Sequence, residues 1–243
     1  MNAASSTIRM DDTLKLLTID TSTSTCSVAL TLGSRIAGEY LLELDKTLTN
    51  RLLSAVDLLM SGAGMTVADL DALGVALGPG AFTGVRVGVA TVKGLALATG
   101  KPVVGFSSLA MLAMNLSWSC FPVCPMFDAR KKEVYTGLYR CRDLPAALEM
   151  DCVVLPAEFL GKISEPTLFI GEGSVKYRDL ISSTMGEKAL FAPWNLHQPR
   201  ASVGALLAGE AAAKGEFIPL AALNPVYIRP SEAELAKMQR ESL

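Results

Sequence analysis

The run Gly78-Pro79-Gly80-Ala81-Phe82-Thr83-Gly84 constrains this chain more than any other stretch, because such a run continues neither strand nor helix and must form a joint. Its glycines open torsions closed to other residues and let other groups approach the main chain closely. Thr83 offers an N-cap oxygen to the segment that follows. That segment, Val85 to Ala98, reads as a helix with Val85, Val89, Val92 and Ala96 on one face and Val87, Ala90, Gly94 and Leu97 on another. Only Arg86 and Lys93 are charged, and their spacing puts them on one narrow strip. A helix apolar nearly all round needs burial on more than one side, and its own sheet covers only one. Small residues at Gly84 and Gly88, and at Ala90, Gly94 and Ala98, permit close approach by another helix. Two readings stand: a central helix of a two-layer domain, or a helix that faces a partner.

With 243 residues, half of them hydrophobic, the chain can bury a substantial core as one domain or two lobes. No apolar run approaches a membrane span, and the first ten residues lack a signal-type core; the expectation is a cytoplasmic protein with no membrane partner. A formal charge of −2 without a long basic run argues against a strong nucleic-acid surface on this chain alone. Arg130-Lys131-Lys132 reads as a solvated charged turn. Five cysteines without a CxxC pair read as reduced thiols, with Cys120 and Cys124 structural rather than ligands. The single histidine, His197, rules out an HExxH metal site and argues against any histidine-dependent centre. No metal site is expected.

In chain order, 1–13 read as a polar extension, with Met10 an alternative start. Leu14 to Asp20, Cys26 to Leu32 and Arg35 to Leu44 form a strand meander whose first turn is rich in hydroxyls. Leu48 to Gly62 is an amphipathic helix, Thr66 with Asp69 a capping box, and Leu73 to Leu77 a buried strand. After Val103-Val104-Gly105 come a helix from Ser107 or Ser108 to Asn115, paired strands Pro122–Asp128 and Val134–Arg140, a short ambiguous Val153-Val154-Leu155, and a strand Thr167–Ile170. That last strand enters Gly171-Glu172-Gly173-Ser174 and a helix to about Ser183; a final helix spans Ser202 to Lys214. Both halves read as strands, helix, strand, glycine turn and helix, which predicts two related α/β lobes, 14–106 and 107–243. Walker A and dinucleotide fingerprints are absent. Asp20 with Thr21 and Ser22 suits a magnesium–phosphate site or a plain turn cap. Gly171 and Gly173 suit an anion cradle or a structural turn, and Glu172 beside them disfavours phosphate.

Asp20-Thr21-Ser22-Thr23 with Cys26-Ser27-Val28-Ala29-Leu30, the run Gly78 to Gly88, Asp128-Ala129-Arg130 with Glu133-Val134-Tyr135, and Pro225-Val226-Tyr227-Ile228-Arg229 together resemble the bacterial TsaB (YeaZ) family over nearly all of the chain after residue 13. The resemblance implies an α/β fold of actin/Hsp70-like (ASKHA) type in two lobes. It also implies a non-catalytic subunit of the machinery that makes N6-threonylcarbamoyladenosine at position 37 of tRNAs reading codons that begin with A. Catalysis would lie in the paralogous partner TsaD, which carries the metal-binding histidines this chain lacks, while this chain holds TsaD in an active conformation. Pairing with TsaD, or with a second copy when the chain is alone, would use Leu48, Arg51, Leu52, Ala55, Val56 and Leu59 of the first helix. The second helix would contribute Val85, Arg86, Val89, Ala90, Lys93 and Leu97. Where many members read His-Ser-Glu and then Leu-Leu-Pro, this chain has Leu48-Thr49-Asn50-Arg51-Leu52-Leu53-Ser54. The resemblance leaves open a TsaE ATPase as a further partner, tRNA contact mainly through the complex, and weak ATP or ADP binding with magnesium at a vestigial site of Asp20, Thr21, Ser22, Gly171 and Gly173. No cofactor is required. The rival from another class is a nucleotide-dependent small-molecule kinase or ATPase of the same fold using Asp20 and the Gly171 turn. A metalloprotease is opposed by the missing ligands.

Overall fold

A computed structural model describes residues 13–43 and 48–229, the side chains of 48–50 excepted. The expected polar extension up to residue 12, with Met10, therefore lies outside the described residues. Alternation of apolar residues produces the meander β1 (Lys15–Asp20), β2 (Thr25–Leu32) and β3 (Arg35–Glu43), with Gly33 at φ 57° in the tight turn between the last two. The chain continues through α1 (Leu48–Gly62), a 3-10 turn closed by the Thr66–Asp69 capping box, β4 (Ala72–Ala76), α2 (Phe82–Thr99) and β5 (Val103–Phe106). After α3 (Ser108–Ala113) come β6 (Val123–Asp128), β7 (Val134–Cys141), β8 (Pro145–Val154), α4 (Pro156–Leu160), β9 (Thr167–Ile170), α5 (Glu172–Lys176), α6 (Arg178–Met185), β10 (Ala189–Phe191) and α7 (Ala201–Ala213).

Two five-stranded sheets result, ordered β3-β2-β1-β4-β5 and β8-β7-β6-β9-β10. In each, an antiparallel meander is extended by two parallel strands, so the two halves repeat one topology although their sequences barely align. On one face of the first sheet, Leu52, Ala55, Val56 and Met60 of α1 and Val85, Val89, Val92 and Ala96 of α2 pack on Leu17, Ile19, Val28, Leu30, Leu73 and Val75. On the other face, Ala205 and Ala208 of α7 meet Leu16, Ala72, Ala76, Val104 and Phe106. In the second half, α3 covers one face, while Phe159 and Leu160 of α4 and Ile181 and Met185 of α6 cover the other.

Three expectations need correction. The second lobe does not hold all of 107–243: α7 packs on the first sheet, and the segment after it returns there too, with Ile218 N donating to Val103 O and Val226 N to Leu77 O. Contacts between distant elements set that boundary, and linear order does not report them. Helix α2 begins at Phe82 with Ala81 at the cap and no side-chain cap bond, so Thr83 lies inside the first turn and does not cap it. Val153 and Val154 end a ten-residue strand, whose interior Glu149 and Asp151 disguised it; Asp151 is satisfied there by the hydroxyls of Ser107 and Tyr139.

Candidate functional site

The glycine run is a joint because it lies directly on the turn that follows β1. Ala81 N donates to Ser22 O at 2.6 Å and Thr21 Oγ1 donates to Gly84 O at 2.8 Å. A Cβ on Gly80 would stand 2.2 Å from Ser22 O, one on Gly84 2.1 Å from Thr21 O, and one on Gly88 2.4 Å from Thr21 Oγ1. No real side chain tolerates such distances, so glycine at these positions is what lets α2 start against the Asp20 turn. Gly84 and Gly88, read from sequence as helix-packing positions, are consumed inside the chain. The Gly78–Pro79 peptide bond is cis.

The residues proposed as a vestigial nucleotide site do not assemble into an open one. Asp20, Thr21 and Ser22 are buried beneath the glycine run. Asp20 Oδ1 accepts from Ser22 N at 3.2 Å, while Oδ2 is buried without a partner. Burial pushes the Asp20 carboxyl up to about 6, against the lowering effect of Ser22. On the other lobe the Gly171 N–H, which would have to face a phosphate, donates to His197 Nδ1 at 3.0 Å. Gly171 and Gly173 press on the Met126 carbonyl, which a Cβ on either would strike. His197 is thereby a structural acceptor, and burial lowers its pKa so that it stays neutral. In this conformation the Asp20 carboxyl is buried and the Gly171 N–H is taken by His197, so neither is presented to the cleft. Among the described residues no cluster of three or more His, Cys, Asp or Glu could hold a metal. Cys124 is buried with its thiol pushed up to about 12, as an inert structural cysteine should be.

Sequence reasoning singled out Asp20 but missed its counterpart. Asp128 ends β6 as Asp20 ends β1, and its Oδ1 accepts from the backbone N of the residue two ahead, Arg130, at 3.1 Å. The signal was there in Asp20-Thr21-Ser22 and Asp128-Ala129-Arg130, each closing the first strand of its half. The two turns face one continuous interlobe cleft, formed by cavities of about 1030 and about 600 Å³ that share Thr23, Ser24, Phe127 and Glu172. At its first-lobe rim the Arg86 guanidinium lies 3.6 Å from the Phe82 ring centroid and donates to Tyr227 Oη at 2.6 Å; the two rings are 5.2 Å apart. Arg229 crosses to the other lobe, donating to Ala129 O at 2.8 Å and pairing with Glu133. Residues 225–229 thus tie α2 to the β6–β7 turn.

The partner-face residues divide sharply. Leu52, Ala55, Val56, Val85 and Val89 are at most 4% exposed; they belong to the chain's own core and present nothing to a partner. Both helices are amphipathic about the sheet, and sequence periodicity alone did not say which apolar stripe the sheet takes. Leu59 and Lys93 are half-buried, Arg51, Arg86 and Ala90 exposed, and Leu97 is 70% exposed. Leu48 lies on α1, with its side chain outside the described set. In the C-terminal half of α2, Ala90, Gly94, Leu97 and Ala98 are exposed, with nothing within 4 Å of a Cβ on Gly94. Leu53 and Leu58 are exposed on α1. The Ala90–Gly94–Ala98 stripe read from sequence thus lies exposed on α2.

Comparison with known proteins matches this architecture. A family model described as TsaD, tRNA N6-adenosine threonylcarbamoyltransferase, matches residues 43–237. The chain is 35% identical over 91% of its length to the tRNA threonylcarbamoyladenosine biosynthesis protein TsaB of Bacillus subtilis, covering 96% of that protein. A Pseudomonas aeruginosa crystal structure, described as similar to the peptidase YeaZ, superimposes with a TM-score of 0.77 at 32% identity, covering 89% of this chain and all of that one. Component A of the Acidaminococcus fermentans (R)-2-hydroxyglutaryl-CoA dehydratase shares the fold at TM-score 0.51 and 13% identity, over 83% of this chain and all of the other. The duplicated lobes are those of the actin-like fold.

Proposed function

This chain belongs to the TsaB (YeaZ) family and so takes part in tRNA threonylcarbamoyladenosine biosynthesis; on that premise we propose that it acts as a non-catalytic subunit that docks TsaD through the open face of α2 and holds it active. The observation that carries this reading is Leu97, Ala90, Gly94 and Ala98 standing open on a helix whose other side is fully committed to its own core. Small residues let two helix backbones approach closely, and Leu97 supplies an apolar anchor. Arg51, Leu53 and Leu58 are exposed on the neighbouring helix α1. Arg86 is bound into the Phe82–Tyr227 stack. Lys93 remains on the strip beside the open face.

The same reading assigns the chain no reaction and no cofactor of its own, supported by the closure of the glycine run over Asp20 and the engagement of the Gly171 N–H by His197. A second copy occupies the α2 face when TsaD is absent, and tRNA and a TsaE ATPase are met in the complex. No helix among the described residues is long and apolar enough to cross a membrane.

The test is reconstitution of threonylcarbamoyl transfer to tRNA with TsaD, comparing wild type with Leu97→Glu and Gly94→Trp. Both positions are exposed, so both variants should melt as wild type while TsaD affinity falls by about 30-fold or more, the range of an interface hot spot, and transfer falls with it. Full transfer by both variants would sink the docking reading. Magnesium-dependent ATP turnover by the isolated chain that is lost in Asp20→Ala would favour the kinase-like rival.

A further inference from the structure

The basic turn between β6 and β7 reads from sequence as a solvated loop, yet its backbone is unusual: Arg130, Lys131 and Lys132 follow one another at φ 63°, 49° and 66°. Non-glycine residues enter this left-handed region against a steric cost, so three in succession need support. That support is present on both sides. Asp128 Oδ1 holds Arg130 N, Ala129 N and Glu133 N close the turn through Glu133 O and Arg130 O, and Arg229 clamps Ala129 O and Glu133 from outside. The result is a loop braced by hydrogen bonds on both sides that presents exposed cations at the cleft.

Charge around the cleft is lopsided for a chain of net charge −2. Lys176 is engaged by Asp128 at 2.7 Å and Arg229 by Glu133. Arg130 and Lys131 line the larger cavity from one side and Arg86 from the other, with Lys132 exposed on the same turn; Glu172 and, in the smaller cavity, Glu43 are the further carboxylates on the cleft. The Phe82–Tyr227 pair beside Arg86 adds aromatic surface to the cationic rim. Cations along a groove with aromatic rings beside them are what a flexible nucleic-acid strand requires, since phosphates take the charge and bases stack on the rings.

We propose that the turn Arg130-Lys131-Lys132, with Arg86 and the Phe82–Tyr227 pair across the cleft, is a contact surface for the phosphate backbone of RNA. The inference rests on the family's place in tRNA modification and not on how TsaD docks. The surface is small, so affinity is modest and falls steeply with salt.

The experiment titrates a fluorescent anticodon stem–loop RNA with the full chain, alone and with TsaD, between about 50 and 200 mM salt, the range over which phosphate contacts show. Replacing the turn by Arg130→Gln, Lys131→Gln and Lys132→Gln should weaken binding about tenfold or more and flatten the log K against log salt slope by about 2, at about 0.7 per single-strand contact. The charge-keeping set Arg130→Lys, Lys131→Arg and Lys132→Arg should restore binding, and neutralising exposed Arg35 and Lys162 should leave it unchanged. Binding by the neutral set equal to wild type, an equal loss in the charge-keeping set, or no RNA bound by chain or complex at low salt would each overturn the proposal. Failure of TsaD to associate would strike the docking reading alone, because the titration of the isolated chain still decides this one.

Discussion

Gly84 and Gly94 lie on the same helix, yet a methyl group added to each meets opposite surroundings. At Gly84 it would collide with the Thr21 carbonyl, a backbone atom with no freedom to yield; at Gly94 it meets nothing. Gly84→Ala should therefore destabilise by about 2 kcal/mol or more, as overpacking does. Gly94→Ala should stabilise by up to about 1 kcal/mol through helix propensity. Thermal or urea denaturation of the two variants checks both signs. Asp20 offers a second residue-scale test. Its folded pKa, about 6, stands above the ordinary aspartate value of 3.8, so the native state binds the proton more tightly. Its contribution is most favourable below the unfolded value and is lost as pH rises through about 4 to 6. Near neutral pH, ionising this buried carboxylate, whose Oδ2 has no partner, costs on the order of a few kcal/mol. Asp20→Asn should raise the urea midpoint near pH 7 and give no advantage near pH 4; an equal gain at both would refute the account.

At the scale of elements, α2 was the most legible part of the chain and also the most misleading. Its length, its all-round apolarity and its closure by Gly100, at φ 71°, follow from local chemistry. Which stripe the sheet takes does not, because Val85, Val89, Val92 and Ala96 are as apolar as Val87, Ala90, Gly94 and Leu97. The sheet face took the β-branched stripe, which fills space against Leu17, Ile19 and Val75, and left the small residues outside. Buried Val89→Glu should accordingly unfold the first lobe, where exposed Leu97→Glu should not, so only the latter can report on docking. Edge elements were harder to read: β10 is three residues long and β8 carries Asp151 in its interior, and neither shows the alternation that marks a half-buried strand.

For the molecule as a whole, the lobes are joined by more than the chain between β5 and α3. Helix α7 comes from the second half and caps itself on the first, with Ser27 Oγ accepting from Ala201 N at 2.7 Å and Glu39 Oε1 accepting from Ser202 N at 3.0 Å and pairing through its other oxygen with Arg200. The segment ending in Tyr227 and Arg229 then bridges the cleft. Removing that bridge with Tyr227→Ala and Arg229→Met should speed amide exchange in the β6–β7 turn about tenfold or more, the equivalent of about 1.4 kcal/mol of local opening, while β1 and β4 stay protected. Unchanged exchange in the turn would mean that the tie holds nothing.

The strands of the first meander, β6 and β7 of the second, the glycine joint and the helices on either side of β4 are written in the sequence, because periodicity and turn residues act over a few neighbours. The reason for each glycine, the return of α7 to the first sheet, the closure of the Asp20 turn and the choice of α2 face were decided only in the tertiary structure. Each depends on a contact between residues far apart in the chain, such as Thr21 with Gly84 or Ser27 with Ala201, and spacing along a sequence carries no record of what arrives from elsewhere to fill the other side.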